Sequence, residues 1–119
     1  CEERVSMARE VVADMPNVTV EPMSGMLVDF ARKHKVRVVL RGLRAYSDFE
    51  YEFQMAQTNR KLAPEIETLF LMPKEEHSYV SASTVREVAR YAGDTSIFVP
   101  AAVQRYIERY VVVSRLNGK

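Results

Sequence analysis

Val36-Arg37-Val38-Val39-Leu40, running on into Arg41-Gly42-Leu43-Arg44 and then Ser47-Asp48-Phe49-Glu50, is the stretch that decides the fold. The near-continuous β-branched run from Val36 to Leu40 has the pattern of a parallel strand buried on both faces. Arg41 to Arg44 then forms a loop at the carboxyl end of that strand. Ser47 and Glu50 have the Ser-x-x-Glu spacing of a capping box. The helix they open is expected to run to about Leu62, with Phe49, Phe53, Ala56 and Leu62 among its buried positions, and Pro64 ends it. Thr68-Leu69-Phe70-Leu71-Met72 is the next strand, closed by Pro73. A strand, a helix and a second strand in this order make one unit of a parallel sheet.

The same reading extends in both directions. Upstream, Val5, Ala8, Val11, Val12 and Met15 follow helical spacing, which predicts a helix over Glu2 to Asp14 stopped by Pro16-Asn17. Val18 to Val20 reads as a short strand. Ser24 is placed to cap a second helix carrying Met26, Leu27, Phe30 and Ala31, with Arg32, Lys33, His34 and Lys35 in its last turn, where cations complement the helix dipole. Downstream, Lys74 to Val80 is a polar loop. Ser81-Ala82-Ser83-Thr84 leads into a helix through about Tyr91, with Gly93 as its C-cap. Pro100 fits the first position of a last helix holding Val103 and Ile107. Val111 to Lys119 has no clear reading. Helices alternating with strands predict an α/β architecture, one domain over residues 1–119, with a parallel sheet flanked by helices. Three strands are fewer than a doubly wound sheet usually holds, so further strands are expected before Cys1.

Composition narrows the function classes. The 119 residues suffice for one domain, and 47% hydrophobic with 28% charged residues is ordinary for a globular chain, which excludes a disordered or fibrous one. Lys and Arg number 17 against 16 Asp and Glu, a net charge of +1. That balance offers no global attraction to nucleic acid or to a membrane surface, so anion recognition is expected to be local. A single cysteine, Cys1, excludes an internal disulfide framework and a multi-cysteine zinc site. No apolar run approaches the ~18 residues that span a bilayer. The start, Cys1-Glu2-Glu3-Arg4, is not a signal peptide and has no initiator Met, so the chain is expected to continue on its N-terminal side.

In an open parallel sheet, ligands bind outside the carboxyl ends of the strands. Two segments at such ends carry suitable groups. Arg41 and Arg44 place two guanidinium forks around Gly42, where backbone can approach a ligand closely; forks of this kind match phosphate oxygens bidentately. The alternative is two surface arginines around a turn. His77 to Thr84 gathers hydroxyls where a helix begins, and free amides at a helix start bind anions. The alternative there is that Ser81 or Ser83 is only the N-cap. Glu52 is placed to accept from ribose hydroxyls, to pair with an arginine, or simply to be exposed. His34 and His77 have no partner at metal-ligand or triad spacing, and Cys1 has no placed base. The six methionines read as core filler. Two phosphate-type segments at adjacent strand ends point to a nucleotide or a phosphorylated substrate, and the spacing alone names no reaction.

The run Arg41-Gly42-Leu43-Arg44-Ala45-Tyr46-Ser47-Asp48-Phe49-Glu50-Tyr51-Glu52 closely resembles the bacterial phosphopantetheine adenylyltransferase family. So does Gln57 to Thr68, continuing through Leu69-Phe70-Leu71-Met72-Pro73. Ser81 to Arg90 resembles the family's second nucleotidyltransferase signature, and Glu2-Glu3-Arg4 its helix start after a lysine. The likeness covers Glu2 to about Val103. It implies a Rossmann-like nucleotidyltransferase of coenzyme A biosynthesis, which transfers AMP from ATP to 4′-phosphopantetheine to give dephospho-CoA and pyrophosphate with Mg²⁺. It also implies a cytoplasmic homohexamer and direct in-line attack on the α-phosphorus without a covalent enzyme intermediate.

By position, the resemblance implies that Arg41 holds the phosphopantetheine phosphate and Leu27 touches the pantetheine arm. Gly42, Leu43 and Arg44 match the ATP loop, with Arg44 on the polyphosphate, and Glu52 matches a glutamate that contacts ATP. His77, Ser78, Tyr79, Val80, Ser81, Ala82 and Ser83 match the ATP segment, with Val80 near adenine and Ser81 and Ser83 near the β- and γ-phosphates. Ala82 stands where a third serine is common, and His77 where an aromatic often occurs. The family's His-x-Gly-His motif, with its catalytic histidine, a substrate threonine and a substrate lysine, has no counterpart among these 119 residues. It is expected in a preceding βαβ unit of ~30 residues or more. Two other readings remain at this stage. One is a related adenylyl- or cytidylyltransferase. The other is a non-catalytic module that binds nucleotide or CoA.

Overall fold

The computed structural model describes residues 2–44 and 46–116, with side chains described for all of these except 46, 47 and 111–116. The elements in chain order are α1 (Glu2–Val11), α2 (Leu27–Lys33), β1 (Val38–Gly42), α3 (Tyr46–Leu62), β2 (Glu67–Leu71), a 3₁₀ turn (Glu75–His77), α4 (Ala82–Arg90) and α5 (Ala101–Leu116). The fold class is α/β with a parallel sheet and helices, as the sequence predicts. The residues divide into two compact units, one made of residues 23–79 and one of residues 1–22 with 80–119.

The continuous unit holds the strand–helix–strand core. β1 and β2 pair in parallel, with Val39 opposite Thr68 and Arg41 opposite Phe70. Val39, Thr68 and Phe70 are half-buried, whereas Val38, Leu40, Leu69 and Leu71, pointing the other way, are exposed. The expectation of burial on both faces therefore fails: among the described residues only one face of this two-stranded sheet is covered. Beneath that face sit Val28 and Ala31 of α2 with Ala63 and Ile66, and Val39 packs against them.

β1 also begins two residues later than the β-branched run. The Lys35 amide donates to the Arg32 carbonyl at 3.0 Å and the Val36 amide to the Ala31 carbonyl at 2.8 Å. Lys35 itself is left-handed, with φ 56°. These are the two bonds of a Schellman motif closing α2, so Val36 ends a helix instead of starting a ladder. Arg41 and Gly42 consequently belong to the strand, and the connection to α3 starts only at Leu43. α2 starts at Leu27 with Met26 at its N-cap and no side-chain cap, so Ser24 does not cap it.

α3 begins at Tyr46, and the capping side chain expected of Ser47 lies outside the described residues. Glu52, Ala56 and Asn59 form its covered stripe, at helical spacing, and Ala63 just past its end continues it. Phe49, Phe53 and Leu62 are exposed, contrary to expectation. Phe49 and Phe53 lie around the helix from that stripe and stack on each other, centroids 5.7 Å apart. The methionines are not core filler either: Met15, Met23, Met26, Met55 and Met72 are exposed.

In the discontinuous unit α5 packs against α1 and α4. Glu3 accepts from the Tyr106 hydroxyl at 2.5 Å, and Glu10 pairs with Arg105. α1 ends at Val11 and a turn follows. Val18 to Val20 has no ladder partner among the described residues, so it is not a strand. α4 closes with a second Schellman pair, Ala92 to Ala89 at 3.1 Å and Gly93 to Val88 at 2.8 Å. The left-handed residue is Ala92, φ 58°, not Gly93. Gly93 is needed for space instead: a β-carbon there would stand 2.8 Å from Val88 Cγ1. α5 starts at Ala101, one residue after Pro100, and continues through Leu116 into the segment that had no sequence reading.

Candidate functional site

Arg41 is the penultimate residue of β1, and Glu52 is on the second turn of α3. The rigid strand and the covered helix stripe bring them into a fork-to-fork pair. Arg41 Nε donates to Glu52 Oε2 at 2.8 Å, and Arg41 Nη2 to Glu52 Oε1 at 2.6 Å. The Arg41 side chain keeps 44% of its surface, Glu52 only 12%. The hydrogen bond from Arg41 holds the Glu52 carboxyl below the usual carboxylate range, against the opposing effect of burial. Of the alternatives open for Glu52, pairing with an arginine is the one the structure contains.

The pair stands at the wall of a cleft of about 370 Å³. Leu27, at the start of α2, lines it together with Met23, Met26, Val39, Tyr51 and Met55. The cleft is thus largely apolar with a charged pair on its wall, the composition suited to a flexible ligand that ends in an anionic group. Arg41 and Leu27 were singled out by the sequence; Met55 and Asn59 were not. Their spacing of three and seven residues from Glu52 is the signal that would have found them, because it places them on one helix face. Thr68 enters through its register with Val39.

Gly42 ends β1, with open space where a β-carbon would stand. The Leu43 amide donates to the Leu71 carbonyl at 2.9 Å, continuing the ladder one step past β1. Arg44 turns back onto α3: its Nε donates to Asp48 Oδ2 at 3.0 Å, and its amide to the same oxygen at 3.3 Å. Each arginine of the sequence motif therefore has a carboxylate partner four or eleven residues on.

The segment His77–Ser83 crosses from one unit to the other between Tyr79 and Val80. On the first side His77 ends the 3₁₀ turn with Nε2 3.4 Å from Glu76, and Ser78 donates to the Glu75 carbonyl at 2.8 Å. Tyr79 is exposed. On the second side Ser81 is the N-cap of α4: its Oγ accepts from the Thr84 amide at 3.1 Å and lies 3.0 Å from Thr84 Oγ1. Ser83 Oγ accepts from Arg86 at 3.3 Å. Ala82 and Ser83 begin α4, where amides have no carbonyl one turn back to donate to.

A parallel strand–helix–strand unit with arginines at the carboxyl end of its first strand has the topology of open α/β sheets, which bind ligands at that end. Residues 1–88 match the family model described as cytidylyltransferase-like, which sets the class as nucleotidyltransferase. A phosphopantetheine adenylyltransferase of Methylococcus capsulatus is 55% identical over 107 residues, which are 90% of this chain and 66% of that protein. One from Cupriavidus taiwanensis is 53% identical over 110 residues, 92% and 68% of the two chains. One from Azoarcus sp. is 55% identical over 114 residues, 96% and 70%. The chain belongs to the phosphopantetheine adenylyltransferase family. It spans about two thirds of the length of the curated relatives it matches.

Proposed function

We propose that the protein transfers the adenylyl group of ATP to 4′-phosphopantetheine, giving dephospho-CoA and pyrophosphate. The observation that carries this, beside the family, is the Arg41 guanidinium on the wall of an apolar cleft that also holds Leu27. The cleft suits the pantetheine arm, and the exposed edge of Arg41 suits its terminal phosphate. A phosphate oxygen of that group attacks the α-phosphorus of ATP in line. The new P–O bond forms as the bond to the β-phosphate bridging oxygen breaks, and pyrophosphate leaves with the electron pair.

Chemistry of this kind asks the protein for positioning and charge stabilisation. In this reading Arg41 orients the acceptor phosphate. Gly42, Leu43 and Arg44 lie along the ATP polyphosphate, and His77 to Ser83 is the ATP segment, with the first amides of α4 facing phosphate. Mg²⁺ is the cofactor of this reading. Among the described residues no group of three or more His, Cys, Asp or Glu side chains could hold a metal ion, so no step here is routed through it. Residues 1–119 belong to one nucleotidyltransferase domain, and the protein is a cytoplasmic homohexamer, the assembly the family resemblance implies. No helix among the described residues is long and apolar enough to cross a membrane.

The test is pyrophosphate release from ATP with phosphopantetheine as acceptor, with dephospho-CoA identified by mass. Turnover with that acceptor, and none with nicotinamide mononucleotide or with CTP as donor, is the expected result. Preference for either of those would replace the reading by a related nucleotidyltransferase. Binding of ATP or CoA without turnover would replace it by a binding module.

A further inference from the structure

We propose that Met23, Met26 and Met55 form an oxidation site on the wall of the cleft, and that a hydroperoxide, by converting these thioethers to sulfoxides, weakens the hold of the cleft on the pantetheine arm. The proposal rests on the reading of the cleft as the seat of that arm.

Three observations support it. The first is placement. Three of the six methionines of the chain line this one cleft. Met23 and Met26 come just before α2, Met26 as its N-cap, and Gly25 between them is left-handed at φ 81°. Met55 comes from α3, one turn beyond Tyr51. Two separate elements thus bring thioethers to the same largely apolar space.

The second is accessibility. Met23 keeps 49% of its surface, Met26 48% and Met55 39%. A methionine packed into a core is shielded from an aqueous oxidant, and these three are not. The one cysteine of the chain, Cys1, is outside the segment 23–79 that builds the cleft.

The third is the chemistry of the product. The methionine sulfur attacks one peroxide oxygen, and an S–O bond forms as the O–O bond breaks. The sulfur is oxidised by two electrons, and hydrogen peroxide is reduced to water. A flexible apolar side chain becomes a polar one carrying a strong acceptor oxygen. An arm laid against that wall buries the new oxygen away from water, which costs binding. Reductases return methionine sulfoxide to methionine, so the change is reversible.

Hydrogen peroxide treatment of the full chain tests this. Peptide mass mapping locates the sulfoxides, and calorimetry gives the Kd of phosphopantetheine and of ATP separately. We expect the phosphopantetheine Kd to rise about tenfold once the three methionines are oxidised, and methionine sulfoxide reductase to restore it. The ATP Kd should stay within about twofold. Met72, 86% exposed and not part of the cleft lining, is the internal control. A variant carrying Met23→Leu, Met26→Leu and Met55→Leu still has Cys1 and Met72; treatment should leave its own phosphopantetheine Kd within about twofold. A second measurement needs no variant to fold: phosphopantetheine present during treatment should slow oxidation of the three cleft methionines and not of Met72.

An equal weakening of the triple-leucine variant on treatment would overturn the proposal, because another residue would then be the target. If phosphopantetheine protects the three methionines but their oxidation leaves its Kd unchanged, the proposal falls and the reading of the cleft stands. If it protects none of them, the arm does not lie in this cleft, and both fall.

Discussion

The Val36 amide donates to the carbonyl of Ala31 at 2.8 Å, so the residue that begins the most strand-like run in the sequence serves to close a helix. The geometry requires Lys35, between them, to sit at φ 56°. A left-handed residue with a β-carbon costs roughly 1 kcal/mol over glycine. Lys35→Gly is therefore expected to raise stability by up to about 1 kcal/mol, partly offset by the larger unfolded-state freedom of glycine. Chemical denaturation of the two proteins reads the difference; a loss of stability would show that the Lys35 side chain contributes more than its backbone costs.

The second Schellman motif gives the opposite sign at its glycine. A β-carbon at Gly93 would meet Val88 Cγ1 at 2.8 Å and the Val88 carbonyl oxygen at 3.3 Å. Gly93→Ala should destabilise by about 1–3 kcal/mol, as overpacking does. Adding Val88→Ala removes the nearer clash, so the double variant should lose less than the sum of the two single ones. Strict additivity in a double-mutant cycle would mean that Val88 is not the obstacle.

Substitution separates the capping role of Ser81 from the phosphate-binding role that the proposed function gives it. As the N-cap of α4 its Oγ accepts from the Thr84 amide, and Ser81→Ala should cost about 1 kcal/mol of stability. Ser81→Asp keeps a capping oxygen and adds a negative charge. It should retain stability and weaken ATP, because the added charge opposes polyphosphate at the helix start. Equal ATP affinity in Ser81→Asp and the parent, measured by calorimetry, would remove Ser81 from the phosphate site.

The two arginines are expected to divide their ligands. Arg44→Ala should weaken ATP by about 1.5–3 kcal/mol, the range for a hydrogen bond to a charged group. Arg41→Ala should weaken phosphopantetheine and leave ATP nearly alone. Equal losses for both ligands in both variants would show that the assignment by position is wrong.

The Arg41–Glu52 pair also gives a pH dependence with a definite sign. The Glu52 carboxyl titrates below its ordinary value because Arg41 donates to it. Its contribution to stability is fully present above the unfolded carboxylate pKa of about 4.3, and it is lost as pH falls through the lowered folded value. The stability gap between the parent and Glu52→Gln should be constant near neutrality and close in the acid range below that pKa. A gap that persists unchanged into strong acid would mean that the carboxylate charge is not what Arg41 uses.

The strand–helix–strand unit was legible because its signals are local. β-branched residues, Pro64 and Pro73 bound elements whose existence does not depend on distant chain. What was not legible depended on partners. Val18 to Val20 has strand propensity, but a strand needs a neighbour to take its amides, and the described residues supply none. Phe49 and Phe53 looked like core because they are large and apolar, while the stripe of α3 that is covered uses Glu52, Ala56 and Asn59. The site followed the same rule. Arg41, Arg44 and Leu27 were visible as residue types at strand and helix ends. That Glu52 reaches back to Arg41, and that Tyr51 and Met55 wall the cleft, follows only once the helix phase is fixed against the strand.

The hydrogen bond between Glu3 and Tyr106 joins residues 103 positions apart. On the ribosome α1 is made early, and it waits for α5 before its partner exists. Residues 23–79, a continuous unit, are all synthesised before that partner exists. Synthesis thus imposes an order: the segment bearing Arg41 and Glu52 is fully made while α1 still lacks its counterpart. A chain stopped between about residue 80 and residue 105 would carry every residue of the cleft and leave Glu3 without Tyr106.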